Sequence, residues 1–70
     1  MKFEIVKKKH CYPCEVAIKH FTRIASERGI EILIKEGQAP KWPWFYVHEN
    51  GIRREVTRDE FRDLLSIEKI

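Results

Sequence analysis

What this sequence lacks narrows it first. No apolar run approaches the roughly 18 residues that a membrane-spanning helix needs. Met1 to Val6 runs straight into Lys7-Lys8-Lys9-His10. A secretory signal would instead carry its charges first and a longer apolar stretch after them. Two cysteines are too few for a disulfide scaffold. A Cys11–Cys14 bridge would close a loop so short that its stabilisation is about 2 kcal/mol at most on the chain-entropy model. A reducing, cytoplasmic compartment is therefore expected. Repeats, low-complexity tracts and internal linkers are missing as well. Strong charge bias is absent too: 14 Lys and Arg against 11 Asp and Glu give +3, which by itself names no polyanionic partner.

What remains is 70 residues, expected to form one domain over positions 1–70. A chain of this size buries only about 60% of the surface its unfolded form exposes. Residues 2–8 place Phe3, Ile5 and Val6 among charges and predict a strand. Cys14, Ala17, Ile18, Phe21, Ile24 and Ala25 recur at steps of three and four, which is one face of a helix. Pro13 suits its first turn, and Gly29 its left-handed stop. Ile30 to Ile34 is β-branched and too short for another helix, so a second strand is expected there. Residues 36–41 read as a loop between Gly37 and Pro40.

Trp44 to His48 and Ile52 to Val56 flank Asn50-Gly51, a strong hairpin signal because both turn residues need positive φ. Alternation places Trp44 and Tyr46 on one face and Phe45 and Val47 on the other, without saying which is core. Thr57-Arg58-Asp59-Glu60 is a capping box opening a helix through Leu65, with Phe61, Leu64 and Leu65 inward. The order is β-α-β-β-β-α. A right-handed βαβ crossover makes the first two strands parallel, and the hairpin extends them to an α/β mixed sheet of about four strands.

Cys11-Tyr12-Pro13-Cys14 stands between the first strand and the first helix of that βαβ unit, and Trp42-Pro43 directly precedes the third strand. Over residues 2–66 the chain resembles a minimal glutaredoxin or thioredoxin-like redoxin. The resemblance implies a thioredoxin-like fold with its middle helix shortened or absent, since residues 36–42 leave no room for one. It also implies a cis bond at Trp42–Pro43, whose backbone would clamp an extended substrate. Tyr12 and Pro13 would contact that substrate. The chain departs from glutaredoxins in having Tyr12-Pro13 where they have Pro-Tyr, and Glu55-Val56-Thr57 where they carry Gly-Gly. Both differences lean against glutathione, although the backbone N–H groups at the Thr57 cap could take a carboxylate.

Such a site calls for a thiolate nucleophile. Cys11 precedes a helix whose free N–H groups and dipole favour an anion, and Lys9 and His10 add positive charge. These influences are expected to lower the Cys11 thiol from its usual pKa near 8.5. Cys14, on the inner face, is the expected resolving thiol. The implied activity is reduction of protein disulfides by dithiol exchange, with no bound cofactor. Electrons would come from glutathione or a thioredoxin-reductase-type donor. The implied substrate is a protein disulfide such as that of ribonucleotide reductase, handled by a monomer away from membranes.

The competing expectation is a non-enzymatic binding module. Its CxxC would hold a metal, or its basic and aromatic surface would bind a protein or nucleic acid. Metal is not expected, because no second CxxC or HxxxH accompanies the pair, and His10, His20 and His48 read as solvated surface residues. Trp44, Tyr46, Arg53, Arg54 and Arg58 could in principle stack and pair with bases. Core burial is the ordinary use of such aromatics, so no nucleic-acid partner is expected. The charged run Arg53-Arg54-Glu55 suits an exposed sheet edge.

Overall fold

The computed structural model describes residues 1–67. It consists of β1 (Lys2–Lys7), α1 (Tyr12–Glu27), β2 (Ile32–Glu36), β3 (Trp44–Glu49), β4 (Ile52–Val56) and α2 (Arg58–Ile67). The four strands form one mixed sheet in the order β2-β1-β3-β4. β1 and β2 run parallel, with Phe3 opposite Ile32 and Ile5 opposite Ile34. β3 is antiparallel to both β1 and β4. This is an α/β fold with a mixed four-stranded sheet, as the element order predicts, and no helix lies between β2 and β3.

Both helices pack on the same face of the sheet. Phe3, Ile5, Phe45, Val47 and Val56 point to that face and meet Ala17, Phe21 and Ala25 of α1 and Phe61 and Leu65 of α2. The Phe61 ring is fully buried, with ring centres of Phe3, Phe21 and Phe45 at 5.4, 5.1 and 5.0 Å. Phe3 and Phe21 meet it edge-to-face and Phe45 at a tilt, and aromatic pairs at such spacings add to area burial. The alternation in β3 thus resolves with Phe45 and Val47 inward, leaving Trp44 and Tyr46 half-buried on the opposite face.

Among the described residues no helix lies over that opposite face, yet Glu4 and Val6 are buried there. Side chains from neighbouring strands do the covering. Arg53 holds the Glu4 carboxylate through both Nε (3.0 Å) and Nη2 (2.6 Å), and His48 Nε2 lies 2.6 Å from Oε1. The same guanidinium lies 3.7 Å above the centre of the Tyr46 ring. Arg53 beside it holds the Glu4 carboxyl below its usual range; burial opposes this, and the His48 contact adds to it. His48 is therefore a structural partner rather than the free surface residue expected from sequence. Arg53 serves this network on an edge strand that is charged as expected.

Local signals explain the element ends. Arg28 caps α1, and Gly29 follows at φ 69°. The Gly29 N–H donates to Ser26 O (3.2 Å) and the Ile30 N–H to Ala25 O (2.8 Å). This is the paired bonding of a Schellman stop. It takes Ile30 into the cap, so the second strand is Ile32–Glu36 and not 30–34. Asn50 (φ 53°) and Gly51 (φ 79°) make the hairpin turn with the backbone that Asn-Gly favours. At α2, Thr57 Oγ1 accepts from the Glu60 N–H at 3.1 Å, but the Glu60 carboxylate accepts from Arg54 at 2.9 Å. Arg54 thus takes the carboxylate that a reciprocal capping box would turn back to the Thr57 N–H.

Candidate functional site

The strand directions bring three connections to one end of the sheet. β1 leaves there through residues 8–11 into α1. Trp44 at the start of β3 lies opposite Val6, near the end of β1. Val56 at the end of β4 lies opposite Phe45, so the entry to α2 comes to the same end. Chemistry-bearing residues far apart in sequence therefore converge without any long loop.

Cys11 is the N-cap residue of α1, with extended backbone (φ −106°, ψ 99°), and Cys14 lies in the first turn. The two are disulfide-bonded, with their Cα atoms 5.2 Å apart. Cys11 Sγ also accepts a hydrogen bond from the Cys14 N–H at 3.1 Å, and Cys11 O accepts from the Glu15 N–H at 3.1 Å. A sulfur here does the work that a serine or aspartate oxygen does at most helix starts. Both cysteines are buried, Cys14 wholly and Cys11 with 5% of its surface exposed. Pro13 occupies the first turn, where its missing N–H leaves no bond unmade.

The Trp42–Pro43 peptide bond is cis. The loop before it is pinned at the edge and at one face of the indole: Trp42 Nε1 donates to Gly37 O at 2.9 Å, and Lys8 Nζ lies over the ring 4.7 Å from its centre. Pro13, Trp42 and Pro43 line one groove of about 690 Å³. That volume falls within the roughly 300–1,000 Å³ range of ligand sites. Lys41 extends the loop wall, Phe45 forms the floor, and Val56, Thr57 and Arg58 form the far wall.

Of the CxxC residues only Pro13 lines this groove; Cys11 and Cys14 do not, and the remaining sequence candidates also stand apart from it. Tyr12 is 76% exposed at the start of α1 and is not among the groove-lining residues. Lys9 and His10 are exposed residues of the turn before Cys11, with His10 in left-handed backbone at φ 56°. On the far wall the sequence offers the Thr57 cap as a carboxylate site and Arg58 as a base contact, and joins neither to the CxxC, because nothing local to residues 55–60 ties them to the cysteines.

The aromatic side chains of β3 are already engaged. Trp44 Nε1 donates to Glu55 Oε2 at 3.0 Å, and the Arg53 guanidinium covers Tyr46. Among the described residues, no three His, Cys, Asp or Glu side chains are grouped so as to hold a metal ion. Among them too, no helix is long and apolar enough to cross a membrane. Compared with family models, curated proteins and solved structures, the chain matched none.

Proposed function

We propose that this chain is a thiol–disulfide oxidoreductase with a thioredoxin-like arrangement cut down to two layers. The observation that carries the reading is the Cys11–Cys14 disulfide at the N-terminus of α1, beside a groove that Pro13 and the cis Pro43 share. Two sulfurs held at bonding distance at a helix N-terminus are the minimum equipment for dithiol exchange.

In the reaction, the Cys11 thiolate attacks a substrate disulfide. A new S–S bond joins Cys11 to one substrate sulfur, and the other leaves as a thiolate and takes a proton. Cys14 then gives up its proton and attacks Cys11 Sγ, releasing the second substrate thiol. Two electrons pass from the protein dithiol to the substrate, and the Cys11–Cys14 disulfide remains. Helix N–H groups would stabilise the Cys11 thiolate, with Lys9 and His10 adding positive charge from the preceding turn. Trp42 and Pro43 would hold the substrate backbone, and Tyr12 would meet it at the rim. No bound cofactor is required. The substrate would be a protein disulfide such as that of ribonucleotide reductase. The donor would be glutathione or a thioredoxin-reductase-type enzyme, acting on a cytoplasmic monomer.

The deciding test is a redox titration of the cysteine pair in glutathione buffers, read by thiol alkylation and intact mass. A reversible two-electron step within about −180 to −280 mV supports the activity. Cys11→Ser should abolish disulfide reduction. Reduction at the wild-type rate in that variant, or a pair that never cycles, would sink the proposal.

A further inference from the structure

The groove beside the disulfide carries an asymmetry of charge that bears on what it accepts. Four charged residues line it: Lys41, Glu55, Arg58 and Glu60. Glu60 is ion-paired with Arg54 at 2.9 Å, whereas Glu55 accepts from the neutral Trp44 indole at 3.0 Å and keeps its charge, so Lys41 and Arg58 face one uncompensated carboxylate. Neither cation has an ion-pair partner among the described residues; Arg58 lies only over the Phe45 ring, at 5.8 Å. Lys41 adjoins Trp42-Pro43 on the loop wall, and Arg58 opens α2 on the far wall. Lys8, over the Trp42 ring, adds a further positive charge on the loop side. A chain laid through the groove beside Pro13 would therefore meet the available cations Lys41 and Arg58.

Resting on the oxidoreductase reading, we propose that Lys41 and Arg58 select substrates whose reactive cysteine lies in an extended segment with acidic residues on both sides. Charge complementarity of this kind acts on encounter and orientation. It leaves the sulfur chemistry unchanged: the two electrons still come from the Cys11–Cys14 dithiol, and each substrate sulfur leaves as a thiol.

The test uses the reduced full chain in single turnover, with product thiols separated by chromatography. The substrates are pentapeptides with a central cysteine flanked by two glutamates, two serines or two lysines on each side. Each is joined to 2-thioethanol as a mixed disulfide. The glutamate peptide should react roughly tenfold faster than the lysine peptide at low ionic strength, with the serine peptide between. The ratio should shrink as salt rises. The exposed double variant Lys41→Glu/Arg58→Glu should reverse the order. A ratio within twofold, or one the variant leaves unmoved, overturns the proposal. So does a glutathione–thioethanol disulfide that outpaces the glutamate peptide and depends on the same two cations, because the groove would then serve the tripeptide. Bis(2-hydroxyethyl) disulfide, which is neutral, separates the two levels. If it too goes unreduced, the oxidoreductase reading falls with this one; if it is reduced while the peptides show no preference, only the acidic-segment proposal falls.

Discussion

Replacing Glu4 by glutamine tests whether a side-chain network does the work of a missing helix. The carboxylate has no exposed surface, but only one layer of side chains lies over it, and Arg53 in that layer is itself 46% exposed. Glutamine keeps the shape and loses the charge behind three short contacts. Hydrogen bonds to charged groups contribute about 1.5–3 kcal/mol each before the cost of burying the charge is subtracted. That cost is relieved in the variant, and the released Arg53 can return to water. The net loss should be about 1–3 kcal/mol, or about 5–20 °C in Tm for a domain of this size. Arg53→Ala should cost more, because it leaves a buried carboxylate with His48 alone. The double variant should then lose less than the sum of the two, by at least about 1 kcal/mol.

The acid limb gives a second handle on the same residue. Arg53, and after it His48, lower the Glu4 carboxyl below its ordinary value near 4.5, against the opposing effect of burial. A carboxylate with a depressed folded pKa contributes stability that is complete above the unfolded value. The contribution is lost as pH falls through the folded one. Urea melts at pH 7 and across pH 5 to 2 should therefore show the wild-type advantage over Glu4→Gln shrinking below about pH 4.5. Equal stability of the two proteins within about 0.5 kcal/mol at pH 7, with superimposable acid limbs, would refute the reasoning.

Other perturbations probe the remaining elements. Phe61→Ala removes the ring at the centre of the four phenylalanines and should cost about 3–5 kcal/mol, enough to unfold most of a small domain at 37 °C by circular dichroism. Thr57→Ala deletes the acceptor for the Glu60 N–H and should cost about 1 kcal/mol in urea melts, since Glu60 stays with Arg54 and cannot compensate. Reducing the Cys11–Cys14 bond should lower stability by no more than about 2 kcal/mol, because the loop it closes is very short. A larger drop in differential scanning calorimetry would mean that the bridge holds the fold together.

Where the sequence was informative, the signal was local. The periodicity from Cys14 to Ala25, the Asn50-Gly51 turn and the Thr57 cap each need only a few neighbouring residues, and each appears where it was expected. Glycine 29 stopped α1 correctly, but the stop consumed Ile30, and that displaced β2 by two residues. Alternation in β3 paired Phe45 with Val47 and could not choose their face. That choice depends on Phe21 and Phe61, which lie in two different helices. Glu4 carried the weakest clue. In Phe3-Glu4-Ile5-Val6 the apolar Val6 shares the face of Glu4, a hint that this face is not simply open to water. Its partner Arg53 is 49 residues away, beyond the reach of any local pattern. For the same reason the CxxC, Trp42-Pro43 and the Thr57 cap are legible as separate motifs, while their meeting around one groove is not.

This division between face and end bears on how a small domain would carry the redox chemistry proposed for it. Stability is concentrated on the two faces of the sheet, in the phenylalanine cluster under the helices and the Glu4–Arg53–His48 network opposite. The cysteines lie at the end, where they contribute little to either. Cys11 Sγ accepts the Cys14 N–H while it is disulfide-bonded. A reduced sulfur in the same position, carrying more negative charge, would be a better acceptor for that N–H. Helix α1 would therefore keep its cap in both redox states, so opening the bridge need not unravel the first turn. On the proposed oxidoreductase reading, the pair would change oxidation state without drawing on the core, of which a chain this small has little to spare.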